Sequence, residues 1–342
     1  MRGGGKAGRT ARRDPRHDDD EDDPVLFEKL RAPVRSHGVA RSAAIDRLPH
    51  GTVTAVHAGR VDVDFAPARL APAVATDPEQ RLAVGDDVAF ETTAGPPRVV
   101  ARLPRRSVIA RTDPGQGHRE LVLAANVDLG VIVVAAADPP LRPGLIDRFL
   151  VVLQRGGVAP LLCVNKVDLL DERGRTALAA TLRPYEDLAV PIVRCSATDG
   201  AGTAELAQRL RGRTCVFVGH SGVGKSSLLN ALDPAGRRTI GEVRSHDGKG
   251  RHTTTSSALR CLGDGTRVID TPGLRGLGLG DLSRDELRAA FADLQAFAGG
   301  CRFTDCSHAH EPDCAVAAAV AAGRLPASRL ASWRRLVGGS DD

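Results

Sequence analysis

Aromatic side chains are scarce in this chain, at 3% of 342 residues, with one Trp, one Tyr and eight Phe. Aliphatic and alanine side chains must therefore build the cores, and base stacking on exposed rings, the usual grip on single strands, is poorly supplied. Long apolar runs are missing as well. The longest, residues 129–137, is far too short to span a bilayer, and no N-terminal stretch reads as a signal peptide, so the expectation is a cytoplasmic chain with no membrane partner. Nor is there a disulfide framework: Cys163, Cys195, Cys215 and Cys261 are dispersed in strand-like segments, while Cys301, Cys306 and Cys314 cluster late. A large charge excess is also absent, since the net charge of +5 is compatible with a polyanionic partner but does not demonstrate one.

The length exceeds one hydrophobic core and predicts several domains. Residues 1–48 gather Arg2, Lys6, Arg9, Arg12, Arg13 and Arg16 before a wholly acidic block at 18–23, a composition that cannot bury a core. The stretch reads as a mostly disordered tail, either simply solvated or touching phosphate backbone. Residues 49–104 break into short alternating runs with glycine and proline turns, which predicts a small antiparallel barrel. An OB-like barrel leads, although periodicity does not separate it from an SH3-like one, and only Phe65 and Phe90 could give it aromatic faces. From 105 to 280 apolar strands (129–135, 160–164, 192–195, 215–218, 267–269) alternate with helical stretches such as 145–154 and 204–211, an α/β signature. Past 280 strands end, and helices are expected over 283–297 and 314–322, with Ser283 and Glu286 at capping-box spacing.

Two motifs in the α/β region carry the chemistry. Gly219-His220-Ser221-Gly222-Val223-Gly224-Lys225-Ser226-Ser227 stands between an apolar strand and a helix, the context a phosphate loop requires. Its backbone N–H groups can curl around phosphate oxygens, Lys225 can neutralise the β and γ phosphates, and the Ser226 hydroxyl can hold Mg²⁺. Asn165-Lys166-Val167-Asp168 follows a buried strand, where open α/β sheets bind ligands. Asp168 can accept from guanine N1–H and the exocyclic amine, whereas adenine would set a lone pair against the carboxylate. Asn165 can support the loop, the stem of Lys166 can cover the ring, and Ser196-Ala197 could offer a free backbone N–H to guanine O6.

Asp270-Thr-Pro-Gly273 ends another strand and suits an indirect Mg²⁺ contact through Asp270 and a γ-phosphate contact through the Gly273 N–H. Residues 248–255 read as a first switch in which Thr253 or Thr254 completes Mg²⁺ coordination. Residues 273–280 resemble a dinucleotide loop but lack its helix context, and read as the second switch. Leu274 follows Gly273 where many GTPases carry the water-orienting Gln, which predicts slow intrinsic turnover, with His252 the nearest replacement.

The base motif precedes the phosphate loop, the reverse of the usual order. Because the ends of a compact domain lie close together, a permuted chain can rebuild the same site. The permutation also makes residues 270–280 a covalent bridge to the C-terminal region, so nucleotide state is expected to reach that region through it. The Cys301-x4-Cys306-x-His308-x5-Cys314 spacing supplies four ligands for a closed, structural Zn²⁺ site, with His310 a rival for His308.

With the barrel, Asn126-Val-Asp128, the inverted motifs, 250–255 and the late metal motif taken together, residues 49–335 resemble the circularly permuted ribosome small-subunit-dependent GTPase A family (RsgA/YjeQ). The resemblance implies a multidomain α/β chain: an N-terminal OB-like barrel at 49–104, a circularly permuted P-loop GTPase domain at 105–280 and a helical zinc-binding domain at 281–342. It further implies a GTP hydrolase that acts late in 30S subunit maturation, with the 30S subunit, its rRNA and GTP/GDP as partners and Zn²⁺ and Mg²⁺ as cofactors. Hydrolysis would be stimulated by the ribosome and coupled to release. A monomer is expected. The rival classes are a metabolic NTPase or kinase, for which no second-substrate constellation is evident, and a zinc-dependent RNA-binding module that uses GTP as a clamp.

Overall fold

The computed structural model describes residues 43–57, 60–65, 71–75, 81–92, 97–113, 119–233, 239–240, 258–270 and 284–338. The expected tail up to residue 42, both switch stretches and Ser283 lie outside them. Five short strands open the fold: β1 (His50–His57), β2 (Arg60–Asp64), β3 (Ala71–Ala75), β4 (Asp87–Glu91) and β5 (Arg98–Arg102). They pair in the ring β1-β2-β3-β5-β4 with β4 returning to β1, and β3–β5 is its one parallel pair. Val53, Val61, Val63, Val88, Phe90 and Val99 fill the interior, as alternation demands of inward-facing positions.

A hairpin that the sequence pattern does not announce, β6 (Val108–Asp113) with β7 (Arg119–Ala125), links the ring to the α/β region. The join is tightly specified. Asn126, in the left-handed region at φ 52°, donates to the Gly85 carbonyl at 2.9 Å and to Asp87 Oδ2 at 3.2 Å, and its own oxygen accepts from Arg106 N–H at 2.8 Å. Beside it, buried Asp86 takes Arg105 Nε at 2.6 Å. Gly85 has φ +92°, and a Cβ there would stand 2.1 Å from the Ala125 carbonyl oxygen, so the position admits no side chain.

The α/β region runs β8 (Leu129–Ala135), α1 (Pro143–Arg155), β9 (Ala159–Asn165), α2 (Glu172–Asp187), β10 (Ile192–Arg194), α3 (Thr203–Leu210), β11 (Thr214–Val218), α4 (Lys225–Leu232), β12 (Thr239–Ile240), β13 (Ala258–Cys261) and β14 (Arg267–Asp270). Strands β10-β9-β8-β11-β14 are parallel neighbours, and antiparallel β13 joins them to β1 of the ring. All seven residues of β8 are buried. Ile132 and Val134 face the core under α1 and α2, while Leu129, Val131, Val133 and Ala135 face the one under α3 and α4, the double burial expected of a central parallel strand. Pro143 occupies the first turn of α1, and the Asp171 side chain caps α2 by accepting from Gly174 N–H at 2.7 Å.

The C-terminal region holds α5 (Arg284–Ala290), α6 (Ala292–Ala298), α7 (Ala315–Ala321) and α8 (Ala327–Gly338). The single helix expected over 283–297 is broken at Phe291 (φ −115°, ψ 44°). Packing explains the break: the buried Phe291 ring lies edge-on to Trp333 at 5.5 Å, with the Arg329 guanidinium 4.1 Å from its centroid. Glu286 accepts from Arg155 of α1 at 2.7 Å.

Helix α1 is buried on nearly every side because α8 covers the face turned away from the sheet. Val151 of α1 belongs to the C-terminal core. Asp147, 4% exposed, accepts from Arg335 at 3.0 and 2.7 Å, from the Ser332 hydroxyl at 3.0 Å and from the Tyr185 hydroxyl at 3.2 Å. Burial raises the Asp147 pKa, and Arg335 opposes that rise. Arg335→Ala would leave the carboxylate buried without its charge partner, at a cost of about 3 kcal/mol. Because the folded state then binds the Asp147 proton more tightly than the unfolded state does, this penalty should shrink as the pH falls through the raised pKa of the buried carboxyl. Thermal unfolding of both chains across pH checks it, and an unchanged midpoint at neutral pH would show that the clasp contributes nothing.

Candidate guanine-nucleotide site and metal centre

Strand order dictates where a ligand can sit. From β8 the chain winds outward through β9 to β10, then returns to lay β11 on the opposite side of β8. The carboxyl ends of β8 and β11 therefore flank a topological switch point, the crevice in which open α/β sheets bind nucleotides. The phosphate-loop residues 219–224 leave β11 there and enter α4 at Lys225. The base motif leaves β9, on the other flank of β8.

The two motifs meet through one side chain. Asn165, 1% exposed, donates from Nδ2 to the Val223 carbonyl at 2.9 Å and accepts from the Ala197 N–H at 3.1 Å, joining the base motif, the phosphate loop and the Ser196-Ala197 turn. Gly224 makes the approach possible: it has φ +94°, and a Cβ there would fall 2.2 Å from Asn165 Nδ2. Lys225 Nζ donates to the Gly219 and His220 carbonyls at 2.7 and 2.6 Å, so its ammonium spans the loop. His220, Ser221, Gly222, Ser226 and Ser227 are exposed around it, and Val223 is buried beneath.

Lys166 takes the left-handed conformation at φ 63°, and its ammonium donates to the Asp138 carbonyl in the turn between β8 and α1. Val167 is half-buried, and Asp168 stands exposed on the short turn that follows, free to face a base edge. The expected free N–H at Ser196-Ala197 is not found: Ser196 N–H donates to the Ala201 carbonyl at 2.9 Å, and that of Ala197 goes to Asn165. The buried Ser196 hydroxyl instead accepts from Thr198 and Asp199 N–H, which shapes the turn. Asp270 is half-buried at the end of β14, beside the strand that carries the phosphate loop. His252, Thr253, Thr254 and Gly273 lie outside the described residues.

Cys301, Cys306, His308 and Cys314 bring their ligand atoms within 4.8 Å of one another. Tetrahedral Zn²⁺, with Zn–S near 2.3 Å and Zn–N near 2.1 Å, sets sulfur and nitrogen about 3.6 Å apart. His308 Nδ1 lies 3.6 Å from Cys301 Sγ and 3.5 Å from Cys314 Sγ, so the cluster is compatible with zinc. His310 is exposed and outside the cluster. Burial lowers the His308 pKa, which favours the neutral imidazole that a metal needs.

Sequence reasoning passed over what orders this loop. Glu311 accepts from Ser307 N–H at 2.8 Å, the Ser307 hydroxyl at 2.5 Å and Ala309 N–H at 3.1 Å, and α8 donates from Trp333 to the Ser307 carbonyl at 2.8 Å and from Arg334 to that of His308 at 2.9 Å. No spacing rule marks these residues, because most of their partners are backbone atoms.

A phosphate loop and a guanine-reading motif that converge on one switch point in reversed chain order define a circularly permuted GTPase. The family model of RsgA GTPase matches residues 102–280. The chain is 44% identical to the small ribosomal subunit biogenesis GTPase RsgA of Ectopseudomonas mendocina over 75% of this chain and 74% of that protein. It is 38% identical to the protein of the same name from Pseudomonas aeruginosa strain LESB58 over 91% and 94%. Among solved structures, YjeQ from Thermotoga maritima aligns with a TM-score of 0.66 at 29% identity, covering 84% of this chain and 96% of that one. YloQ, described as a circularly permuted GTPase, aligns at 0.63 and 26%, covering 87% and 97%. The chain belongs to the RsgA GTPase family.

Proposed function

We propose that this GTPase serves biogenesis of the small ribosomal subunit, hydrolysing GTP when docked on the 30S particle and leaving it afterwards. The observation that carries the reading is the identity of 38% across 94% of a relative named for that role, together with a permuted nucleotide site fastened to a Cys3His module. In this reading Asp168 selects guanine, Asn165 locks the base motif to the phosphate loop, and the 219–227 amides with Lys225 hold the phosphates. Ser226, with Thr253 or Thr254 and indirectly Asp270, would hold Mg²⁺, which supplies charge neutralisation at the phosphates when bound. The Gly273 N–H meets the γ-phosphate. One Zn²⁺ per chain would be structural, the 49–104 barrel OB-like, and the protein a cytoplasmic monomer that touches rRNA.

With Leu274 where a water-orienting Gln often stands, the chain alone should turn over slowly, and His252 would position the water once the subunit is bound. Purified 30S subunits should raise GTP turnover by at least about tenfold, and His252→Ala should remove that stimulation while leaving GTP affinity intact. Turnover indifferent to 30S subunits would sink the reading. Full stimulation of His252→Ala would remove only the histidine's part in it.

A further inference from the structure

The barrel does not offer its aromatic rings to RNA. Phe90 is 1% exposed in the barrel's own core, and half-buried Phe65 packs against that core with its ring centroid 4.7 Å from that of Phe90, so both rings are already engaged. Elsewhere Phe149, Tyr185, Phe217, Phe291 and Trp333 are buried. Among the described aromatic residues the exposed one is Phe303, 41% accessible, in the turn between the metal-cluster residues Cys301 and Cys306.

A single exposed phenylalanine is ordinary on a protein surface. This one is set apart by its mounting. Residues 302–305 are all exposed, yet the turn is pinned at both ends by the cluster cysteines and from within by backbone bonds, Arg302 N–H to the Asp313 carbonyl at 3.3 Å and Cys306 N–H to the Phe303 carbonyl at 3.2 Å. The ring is thus held out by a fixed backbone, which lowers the ordering cost of binding. The Arg302 guanidinium lies 5.5 Å from its centroid, the arrangement of a cation beside a π face. Its surface ion pair with Asp313 at 3.2 Å, both side chains mostly exposed, is weak enough for a phosphate to displace.

We infer that Arg302 and Phe303 form a stacking platform for an unpaired RNA base, the ring taking the base and Arg302 the neighbouring phosphate. The base contact then sits on the turn between the cluster cysteines and not on the barrel. Unpaired bases splayed from loops and bulges stack on aromatic and guanidinium planes in this way. The inference rests on the ribosomal reading above and deepens it by naming where RNA is gripped.

In the full-length protein, Phe303→Ala should weaken binding to purified 30S subunits roughly tenfold or more, within the range for loss of one base stack. Basal GTP turnover and zinc content should not change. Phe303→Trp should keep the affinity, and its indole emission should be quenched on adding subunits, readable because the natural tryptophan, Trp333, is buried. A benzophenone amino acid at position 303 should crosslink to rRNA under light. Wild-type affinity in Phe303→Ala, or crosslinking to a ribosomal protein instead of RNA, overturns the platform while the ribosomal reading stands. If the unaltered chain fails to bind 30S subunits at all, both fall.

Discussion

Replacing Gly224 with alanine is expected to weaken GTP binding by about two orders of magnitude or more without unfolding the protein. Two effects act together. A side chain held at φ +94° costs about 1–3 kcal/mol, and the new Cβ would lie 2.2 Å from Asn165 Nδ2. Either the phosphate loop shifts or the buried Asn165 amide loses its bond to the Val223 carbonyl, at a further cost of about 1–3 kcal/mol. Both movements displace groups that must be pre-set around the phosphates and the base. Fluorescent-nucleotide titration reads the effect, with thermal unfolding as the control for folding. Near-wild-type affinity in a folded Gly224→Ala protein would show that the contact between the two motifs does not govern the site.

Cys314→Ser is the second change of large effect. Cys314 is 7% exposed, its sulfur lies 3.5 Å from His308 Nδ1, and it also accepts from Ala317 N–H at 3.5 Å at the start of α7. Serine keeps a weak cap but loses the thiolate, so the expected outcome is loss of metal and collapse of the turn from 301 to 314. Structural zinc contributes on the order of 10 kcal/mol of apparent folding free energy in small metal modules. The core of Leu287, Phe291, Leu294, Val316, Leu330 and Trp333 is too small to replace that, so the C-terminal helices should open. Trp333 reports directly, because its ring packs on Phe291 and its indole N–H donates to the Ser307 carbonyl. Its emission should shift to the red in Cys314→Ser, and in the unaltered chain after strong chelation, while GTP binding at the distant sheet persists. Purified protein without zinc, whose Trp333 emission ignores chelators, would reject a structural metal.

These outcomes bear on how nucleotide state could reach the C-terminal module. Chain order suggests residues 270–280 as the bridge, so that a flexible insertion near Gly280 would uncouple the two. The fold supplies a second connection. Lys166 of the base motif bonds the Asp138 carbonyl just before α1, and α1 holds α8 through Asp147, Arg335 and Ser332. An insertion near Gly280 would leave that clasp intact, so uncoupling should need the insertion and Arg335→Ala together.

Much of the site could be read from local pattern. A glycine-rich loop ending in Lys225-Ser226, a tetrapeptide ending in Asp168 and a spaced Cys3His set each encode their chemistry within a few residues, because backbone geometry and ligand type constrain short stretches of chain. The strand positions were legible for the same reason: strands buried on both faces admit little but aliphatic side chains. The break at Phe291 was not legible, since helix periodicity continues through it and only the core behind that ring turns the backbone.

The sequence by itself determined which chemistry the chain carries, a guanine-nucleotide site in permuted order and a four-ligand metal set, because each motif is local. Tertiary structure alone decided how these parts are joined: that Asn165 reaches the phosphate loop only because position 224 has no side chain, that His308 and not His310 faces the cysteines, and that Asp147 clasps Arg335 some 188 residues along the chain. Such contacts depend on where the sheet and helices place residues distant in sequence, and periodicity and spacing hold no record of that placement.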